Sequence, residues 1–242
     1  PGVRALLIRE SLGDWSAQLP LQIAIRRLGA PTAEPPSQAA LVERAVTLLS
    51  QYTDVLVNFQ TRFNPFPTNS LSKPLARPGG WGFVATGNFK LASDEALLVS
   101  LDSLDSRYFA IMLTTPWLTS LPHVHATGSF NLSQSQRSAD GSFTYVISAR
   151  DPKVHNWLDT GGLQDGTLTV RWQAPSPAAA TRADSAVKSI KVVKLADLKT
   201  VLPNGTATVE PQARERLVEL RAASYARRCG VTCEVDDTVL RK

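Results

Sequence analysis

The chain has 242 residues, of which 43% are hydrophobic and 19% charged, and its net charge is +5. That composition excludes an intrinsically disordered chain, and the length suffices to bury a core without disulfide or metal staples. No run of about 18 apolar residues occurs, which argues against a membrane-spanning helix, and no phosphate-binding glycine loop, dinucleotide fingerprint or nucleophile elbow is present.

From the start of the chain, Leu6, Leu7, Leu19, Leu21, Ile23, Ile25 and Leu28 around Trp15 predict a partly helical lead-in. Pro31, Pro35 and Pro36 end it, because proline fixes φ and removes a donor. Ser37 then reads as a helix N-cap. Leu41, Ala45, Leu48, Leu49, Tyr52, Val55, Leu56 and Phe59 follow at the three-to-four spacing of an amphipathic helix with one buried face. The Pro-, Asn- and Ser-rich stretch 64–80 reads as a long loop.

After Trp81 the character turns to short β-like runs. Glu95–Leu101, Arg107–Leu113, Val124–Ser129, Phe143–Ala149 and Thr167–Trp172 are rich in β-branched, aromatic and aliphatic residues. Asp140-Gly141 and Asp165-Gly166 read as turns. Lys188–Lys194 predicts a further strand. Thr208, Glu210 and Pro211 then start a C-terminal helix, with Ala213, Leu217, Leu220 and Tyr225 as its apolar stripe and Arg214, Arg216, Arg221, Arg227 and Arg228 outward. The expected fold is mainly β with flanking helices: a β-sandwich or jelly-roll-like core, an N-terminal helical segment and a C-terminal helix. The expected organisation is a helical lead-in over 1–63, a loop over 64–80, a β-sandwich domain with its helix over 81–228 and a tail over 229–242.

The basic excess is concentrated at the end, where residues 182–242 hold 12 Lys and Arg against 8 Asp and Glu. Acidic residues interrupt the basic ones throughout, so nucleic acid is not an expected partner and the segment reads as a solvated helix and tail. Cys229 and Cys233 are spaced for one small disulfide or half a metal site, and a tetrahedral zinc would need two more ligands. Because the sequence begins with Pro1 rather than Met, an upstream segment is expected to have been removed or to lie outside it. A cytoplasmic and an exported location both stay open.

The stretch Gly87–Trp172 resembles the domain of unknown function 1214 family. The resemblance rests on Gly87-Asn88-Phe89, Asp94-Glu95-Ala96-Leu97-Leu98-Val99, Tyr108, Trp117, Ser129-Phe130-Asn131 and Gln134. It continues with Asp151-Pro152-Lys153-Val154-His155-Asn156-Trp157-Leu158-Asp159-Thr160-Gly161-Gly162, then Gly166 and Arg171-Trp172. It covers roughly residues 80–228, including the helix after Pro211. It implies a β-sandwich core and a bacterial origin, and brings no agreed activity. Many relatives carry an upstream domain of unknown function 1254, for which this chain is too short.

Candidate chemistry follows from the turns. Asn156, Trp157 and Asp159, with Trp117, Asn131 and Arg171, offer ring faces and hydrogen-bonding groups for a sugar, a lipid or another small molecule. The same Asn156–Gly162 segment equally suits an architectural corner, with Trp157 in the core and Asp and Asn bonding backbone donors. Arg171 and Trp172 fall on opposite strand faces; Trp172 is expected to pack and Arg171 to pair with Asp159 or Asp151. His123 and His125 share a face if their segment is a strand, and with His155 or Asp151 they form a candidate metal site. Asp94 and Glu95 with Asp151 or Asp159 are a candidate acid–base set, and equally a turn cap. A non-catalytic binding module needing no cofactor is the leading expectation. The alternatives are a hydrolase or metal-dependent enzyme using the histidines, and a partner-binding or homo-oligomeric protein using the basic helix.

Overall fold

The structure, a computed structural model, describes residues 8–26, 28–29 and 34–229. These fall into two compact units, within Pro1–Leu19 with Phe66–Lys242 and within Pro20–Pro65. The expected pair of Cys229 and Cys233 lies outside the described side chains. No helix among the described residues is long and apolar enough to cross a membrane.

The smaller unit holds one long helix, α1 (Gln38–Val57), followed by a π-helical turn over Phe59–Phe63. Ser37 caps α1 by accepting from the Ala40 N–H, as its position predicts. The expected buried face is a correction: none of the helix residues is buried, and Leu41, Leu48, Leu49 and Tyr52 are exposed. A lone helix has no second layer within its unit to cover its stripe.

The larger unit is mainly β, built on two sheets. Its strands are β1 (Ser70–Leu71), β2 (Leu75–Ala76), β3 (Gly82–Lys90), β4 (Glu95–Leu101), β5 (Tyr108–Thr114), β6 (Ser129–Asn131), β7 (Phe143–Ser148), β8 (Trp157–Asp159), β9 (Asp165–Gln173) and β10 (Val187–Lys194). The first sheet runs β1-β3-β9-β5-β6, with β2 also on β3; the second runs β10-β4-β7-β8. Only the β7–β8 pair among these is parallel. The inner faces share one core: Phe89, Phe109, Ile111, Phe130, Val170 and Trp172 from the first sheet meet Leu97, Val99, Phe143, Tyr145 and Ile147 from the second. Two short helices, α2 (Pro177–Ala180) and α3 (Leu198–Val201), precede the C-terminal helix α4 (Pro211–Cys229). Leu198 of α3 packs with Ala96, Leu98, Val146, Val154 and Trp157 in a smaller cluster. Strand β4 is therefore buried at successive positions rather than alternate ones, which is why it reads as an unbroken apolar run.

Several expectations are corrected. Residues 8–26 contain no helix, only a turn at Trp15. Their carbonyls are claimed from outside: Asn131 Nδ2 donates to Leu12 and Gly13, and Arg227 donates to Trp15 and Ser16. Asp14 takes the Ser16 and Ala17 N–H groups as a side-chain turn. This strap, residues 11–16, belongs to the β unit. The 64–80 stretch is not all loop, since β1 and β2 lie in it. The expected strand over Val124–Ser129 begins only at Ser129, because His123–His125 form a turn with Ala126 N–H bonded to the Pro122 carbonyl. Asp165-Gly166 is not a turn but the first two residues of β9, paired with Lys90 and Phe89.

Glycine is required in two of these strands by room rather than by φ. A Cβ at Gly166 would lie 2.6 Å from both the Phe89 ring and the Thr114 carbonyl oxygen. A Cβ at Gly87 would lie 2.0 Å from the Ser70 carbonyl oxygen, where β1 crosses close to β3. Gly87→Ala is expected to cost about 2 kcal/mol through this overlap with backbone, measured as a lowered midpoint of urea unfolding.

Candidate functional site

The functional geometry is built around helix α4, which turns an arginine-bearing face toward the β unit. Arg214, Arg221 and Arg228 recur at intervals of seven residues, about two helical turns, so they share one face. Of the arginines expected outward, Arg216 and Arg227 are exposed, but Arg214 and Arg221 are corrected: they are 7% and 2% exposed, whereas Leu220 of the expected apolar stripe is 52% exposed.

Before α4, residues 207–209 pair with 153–155 through His155 N–H to the Ala207 carbonyl and Val209 N–H to the Lys153 carbonyl. That brings the helix start to the Asp151–Gly162 corner. Arg214 forks onto Asp151, with Nε 3.0 Å from Oδ2 and Nη2 3.4 Å from Oδ1. It also donates to the Val154 carbonyl (2.5 Å) and lies over the Trp157 ring at 5.1 Å. Such planar bidentate pairing is what guanidinium offers and an ammonium does not.

Two turns on, Arg221 has no such partner. Among the described residues its guanidinium makes one hydrogen bond, from Nη2 to Ser129 Oγ (2.9 Å), and no ion pair, while its Nε is buried without a partner. It lies over the rings of Trp15 (4.9 Å) and Phe130 (5.9 Å). Burial, and secondarily the positive field of Arg228, push its pKa down to about 10, so it is still a cation at neutral pH. Ser224, one turn further and 1% exposed, also has an unpartnered buried Oγ.

Arg221 and Ser224 line a cleft of about 320 Å³. The strap supplies Asp14, Trp15 and Ser16; the loop after β6 supplies Ser133, Gln134 and Gln136; α4 adds Leu217 and Leu220. The Asp14 carboxylate is committed to Ser16 and Ala17, and these bonds, chiefly those of Ser16, hold its pKa below the usual carboxylate range. Arg228 lies over the Trp15 ring at 4.0 Å, and His123 meets that ring edge-on with centroids 6.0 Å apart. Burial, then Arg221 and Arg228, lower the His123 pKa to about 4, so it is neutral at physiological pH.

The residues anticipated as ligand-binding are not gathered at this cleft. Asn156 is buried; its Oδ1 accepts from Gln136 N–H (2.8 Å), and its Nδ2 donates to the Gln136 and Thr144 carbonyls (2.7 and 3.1 Å). It borders a cavity of only about 80 Å³. Trp157 is buried, with Nε1 bonded to the Ser148 carbonyl and hydroxyl. Asp159 accepts from Gly161 N–H (2.8 Å). Asn131 caps the 3-10 turn Leu132–Gln134 and holds the strap. Trp117 is 62% exposed, away from these groups. The Asn156–Asp159 segment thus carries the polar bonds of an architectural corner. The expected pairing of Arg171 with Asp159 or Asp151 does not occur: Asp151 is taken by Arg214, and the charges acting on Arg171 are those of Arg9, Arg77 and Tyr108. Trp172 does pack, fully buried on the face opposite Arg171, with Nε1 bonded to the Asp102 carbonyl (2.7 Å).

The histidines do not converge either. Because His123 and His125 lie in a turn, strand alternation does not place them on one face, and His123 stacks on Tyr225 with centroids 5.4 Å apart. His155 bonds the Gln134 carbonyl through Nε2 (2.9 Å) and borders the cleft. Among the described residues no group of three His, Cys, Asp or Glu side chains is placed to hold a metal ion. Asp94 and Glu95 both pair with Lys194, at 3.0 and 3.2 Å, and Glu95 caps the Ala92 N–H, which is the turn-cap alternative. Residue-type reasoning sets Arg221 outward and passes over Ser224; the seven-residue recurrence of arginine is the signal that Arg221 shares the face of Arg214.

The class defined by this fold is a mainly β protein of two sheets with flanking helices. No family model matches the chain, and no curated protein matches it. Among solved structures, it is similar to an uncharacterised protein from Burkholderia cenocepacia, at 26% identity and a TM-score of 0.53, covering 69% of this chain and 47% of that one. The VPA0106 protein from Vibrio parahaemolyticus is more distant, at 14% identity and a TM-score of 0.39, covering 67% of this chain and 39% of that one. The chain thus spans less than half the length of either.

Two outcomes test the corner. Asn156→Ala strands three polar backbone groups and is expected to cost about 3 kcal/mol in urea unfolding. Burial, and secondarily Asp151, raise the Asp159 pKa above the ordinary value of 3.8. A folded-state pKa above the unfolded one means that the native state holds the proton longer, so stability falls as pH rises through that window. Asp159→Asn is expected to gain stability over wild type above the window and to lose that advantage toward pH 3, read from unfolding midpoints across pH.

Proposed function

We propose that the protein is a non-catalytic binding module for a small organic anion of the acidic-sugar kind, seated between the strap, the loop after β6 and α4. The observation that carries this reading is Arg221, a buried cation with no counter-charge among the described residues. Taking a guanidinium out of water without an anion costs several kcal/mol, and a ligand carboxylate supplies the missing charge in a charge-assisted pair. The buried Ser224 hydroxyl beside it adds a donor. Gln134, Gln136 and Ser133 suit ring hydroxyls, while Leu217 and Leu220 suit the apolar face of a sugar ring. The cleft volume lies in the range of small-ligand sites. The order of motifs from Gly87 to Trp172 supports a second proposal, that the chain is a relative of the domain of unknown function 1214 family.

The test is calorimetric titration with glucuronate and, separately, with glucose. Wild type is expected to bind glucuronate at least about tenfold more tightly than glucose, a difference worth ~1.4 kcal/mol. Arg221→Met is expected to abolish that preference while unfolding in ligand-free urea at a midpoint no lower than wild type, because it removes an unpaired buried charge. Unchanged glucuronate affinity in Arg221→Met, or a wild type that binds neither sugar, would overturn the reading.

A further inference from the structure

A second cluster of guanidinium groups lies elsewhere on the β unit and is not used by the cleft. Arg77 follows β2 in a tight turn, with its N–H bonded to the Gly82 carbonyl and its carbonyl accepting from Gly80 N–H. That turn sets its guanidinium over the Trp81 ring at 5.3 Å. Arg171 projects from β9 on the face opposite Trp172, in register with Val84 of β3 and Ala110 of β5. Arg9 arrives with the chain leading into the strap, where Ser11 Oγ donates to Gln173 Oε1 (2.9 Å). Arg9, Ser11, Arg77, Trp81 and Gln173 line a cavity of about 490 Å³.

The polar accounting is incomplete here in a specific way. Nε of Arg77 and Nε of Arg171 are both buried without a hydrogen-bond partner. Among the described residues neither arginine, nor Arg9, is in an ion pair. Burial, and then the like charges of Arg9 and Arg77, lower the pKa of Arg171. Tyr108, whose hydroxyl is pushed up chiefly by burial, is a neutral donor beside them. Folding has thus set Arg77 and Arg171, each with a buried unused Nε–H, in the field of Arg9, with no anionic partner among the described residues.

We infer that the cavity lined by Arg9 and Arg77, with Arg171 beside it, is a receptor for a phosphate monoester, with the phosphate on the guanidinium groups and the ester's apolar part against Trp81. A phosphate monoester offers close to two negative charges and three strong acceptor oxygens, which suits a cluster of three forks better than a single carboxylate does. An indole lining the same cavity as the charge favours an organic ester over the bare ion.

The experiment is calorimetric titration at low ionic strength with phenyl phosphate, inorganic phosphate and benzyl alcohol, on wild type, Arg77→Gln, Arg171→Gln and Arg221→Met. Phenyl phosphate is expected to bind wild type most tightly and to lose about tenfold or more in Arg77→Gln and in Arg171→Gln. Arg221→Met is expected to bind it as wild type does, which keeps this site's outcome separate from that of the α4 cleft. Arg77 sits in a surface turn, so its variant reads binding even where Arg171→Gln perturbs the sheet. Wild-type affinity in both variants, benzyl alcohol binding as tightly as the ester, or loss of binding in Arg221→Met would each overturn the inference. Inorganic phosphate matching phenyl phosphate would overturn the assignment of an ester.

Discussion

Helix α4 stands on a guanidinium. Arg214 reaches Asp151, the Val154 carbonyl and the Trp157 ring together, and this contact fixes the helix against the corner that β8 begins. Everything the helix does further along follows from that anchor. With Arg214 pinned, the helical repeat carries Arg221 and Arg228 down the same face, over Trp15 and next to Ser129. An aliphatic helix face would dock by area alone. Here the docking is directional, because a planar fork accepts few orientations.

The two buried arginines show how one residue type serves opposite ends. Arg214 has its charge matched within the fold, so its burial stabilises the structure. Arg221 is held in position by aromatic faces and one hydroxyl, and its charge is unmatched among the described residues. A protein evolving for stability alone would place an aliphatic side chain there. The Arg77–Arg171 pair repeats the pattern, with buried donors beside like charges. Strain of this electrostatic kind is what a preorganised receptor requires, since no group has to move when the anion arrives.

Much of the fold was legible because it depends on local pattern. The run Glu95–Leu101 is a strand to the residue, and Ser37 caps its helix, because apolar periodicity and capping chemistry act over a few positions. The strands β3 and β8 were not anticipated: β3 carries glycines demanded by crossing backbone, and β8 is only three residues long. The site was the least legible part. A leucine stripe on α4 suggests a conventional apolar face, yet Leu220 is exposed while Arg214 and Arg221 are buried. Which face a helix buries depends on partners distant in sequence, here Asp151 and Trp15, and periodicity does not report charge partners. By residue type the Asn156 segment suits a binding loop and a corner alike, and its hydrogen bonds run to the backbone of the fold.

The strap joins residues that lie far apart along the chain. Arg227 holds the carbonyls of Trp15 and Ser16 across more than two hundred positions. On a ribosome a chain emerges from its N-terminal end, so the strap is made well before the helix that holds it. Contacts of such long sequence separation form late, since the loop they close must be ordered first. The cleft is therefore a late-closing part of the β unit, and its shape reports a chain in which α4 is made and docked.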